Sequence, residues 1–317
     1  MKTISPAPKV ETDHPEAEAA LVAFIQRLVH DSSTVQAIES GEVDAILDPA
    51  SGRALLLPEA RAAVRRGETS TNQLLATLPR EEYQQLLAGL EPVTLAFGDV
   101  LYEPGELIRQ IHFPNEGLLV SLLILVENHG ALEIGLVGSE GMVGLPLAQG
   151  IGMSSVRTVV QGTGTALRME SAGFREALET CPALQRALHR YTHALIAQIT
   201  QTAACNRFHQ VEARLARWLL MASDRLQSDL IRFTHEWLAD LLGVRRVGIT
   251  VAASALQQRK LIQYSRGNIT ILDREGLKAS ACECYQKIKD IFDRAESWPA
   301  DTVLAEKPNT VGTMAHI

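Results

Sequence analysis

The chain has 317 residues but only four cysteines, and none precedes Cys181. Cys181, Cys205, Cys282 and Cys284 are few and unevenly spaced, so no disulfide scaffold is implied. A long apolar run is also missing. The longest uncharged one, Gly117–Val126, falls short of the roughly 20 apolar residues that a membrane helix needs. Met1–Val10 has no apolar core and acidic residues follow it, so no signal peptide is expected. These absences fit a reducing, cytoplasmic setting. The sequence shows no Ser–His–Asp or Cys–His nucleophile pattern, no phosphate-cradling glycine loop and no dinucleotide glycine signature, so an enzyme is not expected.

What is present is a charge asymmetry. Net charge is −7, yet residues 206–289 hold fourteen Lys and Arg against eight Asp and Glu. A basic C-terminal module on an acidic body suggests a polyanion partner for that module. A solvated charged surface would look the same by charge alone.

Pattern changes divide the chain. Residues 1–66 form an N-terminal extension, polar and disordered over 1–14. A helix is expected from Pro15, with Leu21, Phe24, Ile25, Leu28 and Val29 at helical spacing. Two short apolar runs flank Pro49-Ala50-Ser51-Gly52, which reads as a hairpin, and Pro58–Arg66 reads as a short helix. Over 72–180 strand-like stretches recur: Glu91–Leu95, Val100–Tyr102, Gln110–Phe113, Leu118–Val126, Leu132–Val137, Val156–Gln161 and Thr165–Met169. Turn residues punctuate them, which predicts an antiparallel barrel or sandwich. Residues 182–206 predict one long helix. Leu184, Leu188, Tyr191, Leu195, Ile199 and Thr202 form a narrow apolar seam on it, expected to pair with a second copy. Packing on the chain's own barrel is the other reading of that seam. Residues 207–289 form the basic module, and 296–317 read as a disordered tail.

The module carries the strongest signal. Thr234 can cap a helix with Trp237, Leu238, Leu241 and Leu242 facing a core. Gly243 ends it and allows a tight turn. A second helix starts near Arg245, with Val247, Ile249, Ala253 and Leu256 available for packing. Two short helices about a glycine turn make a helix-turn-helix, which offers the start of its second helix to the major groove. Leu261–Tyr264 and Ile269–Leu272 then flank Ser265-Arg266-Gly267-Asn268, a hairpin wing whose Arg266 can reach a phosphate or the minor groove. A helical hairpin for protein contacts is the competing reading, and the Arg-Arg helix and basic wing weigh against it.

Residues 72–289 resemble the Crp/Fnr family of bacterial regulators. The stretch from Gly98-Asp99 to Pro104-Gly105-Glu106 is similar to the family's opening strands, and Gly138–Gly144 to the start of its ligand cassette. Leu238-Ala239 and Leu242-Gly243 match its DNA module. Cys205-Asn206, His209, Arg214–Leu220 and Cys282–Tyr285 are like a subgroup of the family. The resemblance implies an α+β fold: a helical and hairpin N-terminal extension, an antiparallel cyclic-nucleotide-binding-like β-roll, a long dimerisation helix and a C-terminal winged helix-turn-helix. It implies a homodimeric regulator on a twofold-symmetric DNA operator, touching RNA polymerase if it activates. Arg246 keeps one of the family's base-reading positions and is expected to meet a guanine edge. Val247 and Val251 replace two polar readers and would meet thymine methyls, while Arg245 and Thr250 would hold phosphates.

The ligand cassette departs from that pattern. The candidate ligand residues are Gly141, Gly144, Ser155 and Arg157. Leu145 follows Gly144 where the family has Glu, and Ser155-Val156 stands where it has Arg-Ser. Without its charge-assisted partner a cyclic phosphate binds poorly, so cAMP is not the expected effector. No cysteine cluster precedes Cys181, which argues against an iron–sulfur oxygen sensor. Cys205 and His209 have metal-ligand spacing on a helix, and Cys282 and Cys284 could join them. Free cysteines also pack as small apolar residues, and no metal or cofactor is expected. Two alternatives stay open: a signalling adaptor whose N-terminal segment and roll bind a protein, and a cyclic-nucleotide-responsive activator.

Overall fold

A computed structural model describes residues 45–47, 54–56, 72–127 and 130–297. The chain divides into one unit at residues 1–69 and another at 70–317. In the first, β1 (Ala45–Leu47) pairs antiparallel with β2 (Ala54–Leu56), Ala45 opposite Leu56. This is the expected hairpin. The helices expected from Pro15 and over Pro58–Arg66, and the disorder expected over 1–14, lie outside the described residues.

The second unit opens at Asn72, which caps α1 (Gln73–Ala76) by accepting from the Leu75 amide at 3.0 Å. Its amide group donates to the carbonyls of Pro114 and Gly141, both at 2.8 Å, and so ties the helix to the roll. After α2 (Arg80–Leu87) come β3 (Glu91–Leu95), β4 (Val100–Tyr102), β5 (Gln110–Pro114), β6 (Leu119–Val126), β7 (Gly130–Val137), β8 (Arg157–Gly162) and β9 (Gly164–Glu170). All pair antiparallel, in sheets ordered β3-β9-β5 and β4-β8-β6-β7. Each expected strand is found, within two residues at either end. The first half of β6 is covered on both faces. Val120 joins the core of the roll, while Leu119 and Leu123 join a second core shared with the C-terminal module.

The helical half follows: α3 (Ser171–Thr180), α4 (Pro182–Phe208), α5 (Val211–Leu226), β10 (Leu230–Arg232), α6 (His235–Leu242), α7 (Arg246–Gln258), β11 (Ile262–Ser265), β12 (Asn268–Ile271), α8 (Arg274–Ser280) and α9 (Cys284–Ser297). The small sheet has the order β10-β12-β11. α9 runs past residue 296, so helix replaces the start of the expected tail, and the rest lies outside the described residues.

Two expectations are corrected here. Leu184, Leu188, Tyr191 and Leu195 are buried in the chain's own roll core, Ile199 packs against it, and Thr202 is buried beside Arg217. The seam is therefore not the face offered to a second copy. A helix with an apolar stripe needs a partner, and here the roll lies close enough to supply it. The outer face of α4 exposes His189, His193, Ile196, Thr200, Ala203 and Arg207, at alternating steps of four and three. The second correction concerns α7. Val247, expected to be available for packing, is 71% exposed, whereas Ile249, Ala252, Ala253 and Leu256 are buried.

The roll and the C-terminal module are packed together rather than strung on a linker. Trp218 meets Phe233 edge-on at 5.0 Å, and Phe97 reaches across to Phe233 at 5.9 Å. Trp237 Nε1 donates to Gln161 Oε1 at 2.9 Å. Glu133 of β7 accepts from Trp218 Nε1 at 2.7 Å and from Ser121 Oγ at 2.5 Å. Burial pushes its carboxyl up to about 7, against the pull of these hydrogen bonds and of Arg217 and Arg225.

Candidate nucleic-acid interface

Local chemistry sets the two helices of the module. Thr234 Oγ1 accepts from the Trp237 amide at 3.2 Å and starts α6. Gly243 ends it at φ 60°, with its amide bonded to Asp240 O and that of Val244 to Ala239 O. This is a Schellman ending, and its left-handed residue suits glycine. Arg245 then stands in extended conformation ahead of α7, whose first turn carries no acidic residue. Ile249 and Leu256 are buried completely, and burial of such side chains stabilises the helix on its base by about 2 kcal/mol each.

That anchoring decides what faces out. Arg245, Arg246, Val247, Thr250 and Val251 are all exposed on the opposite side of α7. Val247 and Val251 are 71% and 66% exposed, one turn apart. Open amides at the N-terminus and two arginines make this end attractive to phosphate. The wing adds Arg266, exposed at the tip between β11 and β12. Arg266 and Gly267 have φ of 49° and 82°, the pair of positive values of a type I′ hairpin.

The structure also brings in residues the sequence reading passed over. Arg232 on β10 is exposed and lies opposite Asn268, beside the wing tip. His235 stacks on Tyr264 at 4.0 Å and its Nδ1 lies 3.2 Å from Thr250 Oγ1. Thr250 in turn donates to the Arg246 carbonyl at 3.1 Å. Wing, first helix and recognition helix are thus held in one arrangement. Burial, and then the nearby Arg246, keep the His235 imidazole below its usual range, so it is neutral at neutral pH. Only Arg232, a cation just ahead of α6, could have been suspected from the sequence.

The four candidate ligand residues do not form a comparable site. Gly141 sits so close to α4 that a Cβ would run into the Tyr191 ring. At Gly144 a Cβ would meet Ile111 at 2.8 Å and the Tyr102 hydroxyl at 3.0 Å, so the roll is filled there. Ser155 is exposed on a loop. Arg157 is gripped by Glu103, with nitrogen–oxygen distances of 2.7, 2.9 and 3.1 Å. That pairing holds the Glu103 carboxyl below its usual range. A cavity of about 500 Å³ lies elsewhere, walled by Glu140, Arg225, Arg274, Tyr285 and Phe292 among others, and touches none of the four. Beside it Glu140 accepts from Arg225 Nε at 2.8 Å, which links the cassette to α5.

Residues 213–280, from α5 to α8, match the model of the Crp-like helix-turn-helix domain. No curated protein matches the chain by sequence. Solved structures match this chain in fold. FixK2 of Bradyrhizobium japonicum superposes with a TM-score of 0.52 at 14% identity, over 61% of this chain and 98% of its own. CLP of Xanthomonas campestris, a c-di-GMP-responsive global regulator, gives 0.52 at 17%, over 61% and 99%. A Crp/Fnr-family regulator from Eubacterium rectale gives 0.50 at 17%, over 65% and 96%. Fold and module define the class: the chain is a DNA-binding transcription regulator. Within that class its fold is the Crp/Fnr one, and its DNA-binding domain is Crp-like. Among the described residues no helix is long and apolar enough to cross a membrane.

Proposed function

We propose that the chain binds a twofold-symmetric operator as a homodimer, in the cytoplasm, and contacts RNA polymerase where it activates. The exposed face of α7 carries this reading. Two valines left bare on a helix beside Arg246 have no use in water, but suit thymine methyls next to a guanine. In this reading Arg246 reads a guanine edge, Val247 and Val251 meet methyl groups, and Arg245, Thr250 and Arg266 hold phosphates. Arg232 extends the phosphate track. The homodimer uses the outer face of α4 around Ile196, which is 57% exposed.

The effector in this reading is not cAMP, because Arg157 is committed to Glu103. The deciding experiment is selection of bound DNA from a genomic pool at two salt concentrations. A palindromic consensus whose binding weakens with salt is expected. Arg246→Ala should cost about 1–3 kcal/mol on that site and relax its specificity at one base pair per half-site. A pool with no enrichment would sink the reading.

A further inference from the structure

Away from the DNA face, the C-terminal end of α4 meets the link between α8 and α9. Cys205, His209, Cys282 and Cys284 converge there, with one ligand atom from each within 4.8 Å of all the others. Cys205 Sγ lies 3.5 Å from Cys282 Sγ, and Cys284 Sγ lies 3.4 Å from His209 Nδ1. A zinc ion with bonds of about 2.3 Å to sulfur and about 2.0 Å to nitrogen spaces its tetrahedral ligands by roughly 3.6–3.8 Å. The two separations approach those edges. They are far beyond the roughly 2.05 Å of a disulfide. Terminal ligands of a multi-iron cluster would stand farther apart than one shared ion allows.

The surroundings point to the same ligand. His209 Nε2 lies 3.3 Å from Glu283 Oε2. An imidazole that donates to a carboxylate from Nε2 presents its Nδ1 lone pair inward, as zinc-bound histidines do. Arg214 and Arg217 are only 6% and 3% exposed, and each leaves its Nε buried without a hydrogen-bond partner among the described residues. Neither has a carboxylate within ion-pair distance among those residues. Two buried cations call for a nearby anion. Three thiolates and a neutral imidazole on Zn²⁺ carry one net negative charge.

From this geometry we infer that Cys205, His209, Cys282 and Cys284 bind one structural zinc ion, which pins α9 to the end of α4. Binding releases three thiol protons and oxidises nothing. The consequence is mechanical. α9 lies back along α4 and brings Phe292 to Tyr191 at 6.4 Å and under the Arg225 guanidinium at 5.8 Å. The ion thereby holds the helix that closes the junction between roll and DNA module. This inference does not depend on the DNA reading.

The test uses the purified full chain. Elemental analysis should find about one zinc per chain, and Cys205→Ser and Cys282→Ser should lower it about tenfold or more. Cys181→Ser, buried in the roll core, should leave it unchanged. Glu283→Gln should weaken zinc affinity by about 10- to 100-fold while still filling at saturation. Cobalt titration of the unmodified chain, stripped by chelator, covers the case in which the cysteine variants do not fold. A sulfur-to-cobalt absorption band with tetrahedral visible bands is expected. A chain with reduced thiols that holds no zinc and gives no cobalt band would overturn the inference. So would a mass lower by two hydrogens, the mark of a Cys205–Cys282 disulfide.

Discussion

Glu133→Gln should make the protein more stable above neutral pH and remove a pH dependence. Glu133 is 7% exposed in the shared core, and its carboxyl is pushed up from an ordinary 4.5 to about 7. The folded state therefore binds a proton that the unfolded chain has already released across that range. Stability is unaffected by this group below about pH 4.5, falls as pH rises toward 7, and stays reduced above. Each pKa unit is worth about 1.4 kcal/mol, so the penalty at about pH 8 is on the order of 3 kcal/mol. Glutamine carries no charge to desolvate. Its oxygen can accept from Trp218 Nε1, and its amide can donate to Ser121 Oγ, the two partners of the carboxylate. Urea unfolding at several pH values reads the effect. The variant should gain up to about 3 kcal/mol at about pH 8 and little at about pH 5. Parallel stability curves, or a variant weaker at high pH, would show that Glu133 is ionised by Arg217 and Arg225 after all.

Three further outcomes follow from other contacts. Gly141→Ala drives a methyl into the buried Tyr191 ring and should destabilise by about 3 kcal/mol, seen in thermal unfolding; a change within about 0.5 kcal/mol would contradict the close approach. Ile196→Asp should turn the dimer into a monomer in sedimentation equilibrium without loss of helix, and a dimer that persists would place the interface elsewhere. Calorimetry with cAMP should show no micromolar binding, and heat from a site at that affinity would mean that Arg157 leaves Glu103 for a cyclic phosphate.

Much of the fold was legible because its signals are local. Gly98-Asp99 and Pro104-Gly105 mark turns through their own backbones and side chains, so the strand between them could be placed. The helix-turn-helix was legible for the same reason. A threonine cap, a glycine ending and a type I′ wing tip lie within a few residues of the contacts they make.

What the sequence alone determined is therefore where most strands and the helix-turn-helix fall and that the apolar stripe of α4 must be covered. What only the tertiary structure decided is which partner each one met. The period of Leu184, Leu188, Tyr191 and Leu195 says that one stripe of α4 must be covered, and nothing in a period distinguishes a second copy from the chain's own roll. Arg157 found Glu103 54 positions away, and Cys205 found Cys282 77 positions away. Such pairings follow from how strands and helices stack, and a burial pattern constrains only that stacking must happen, not which residues it brings together.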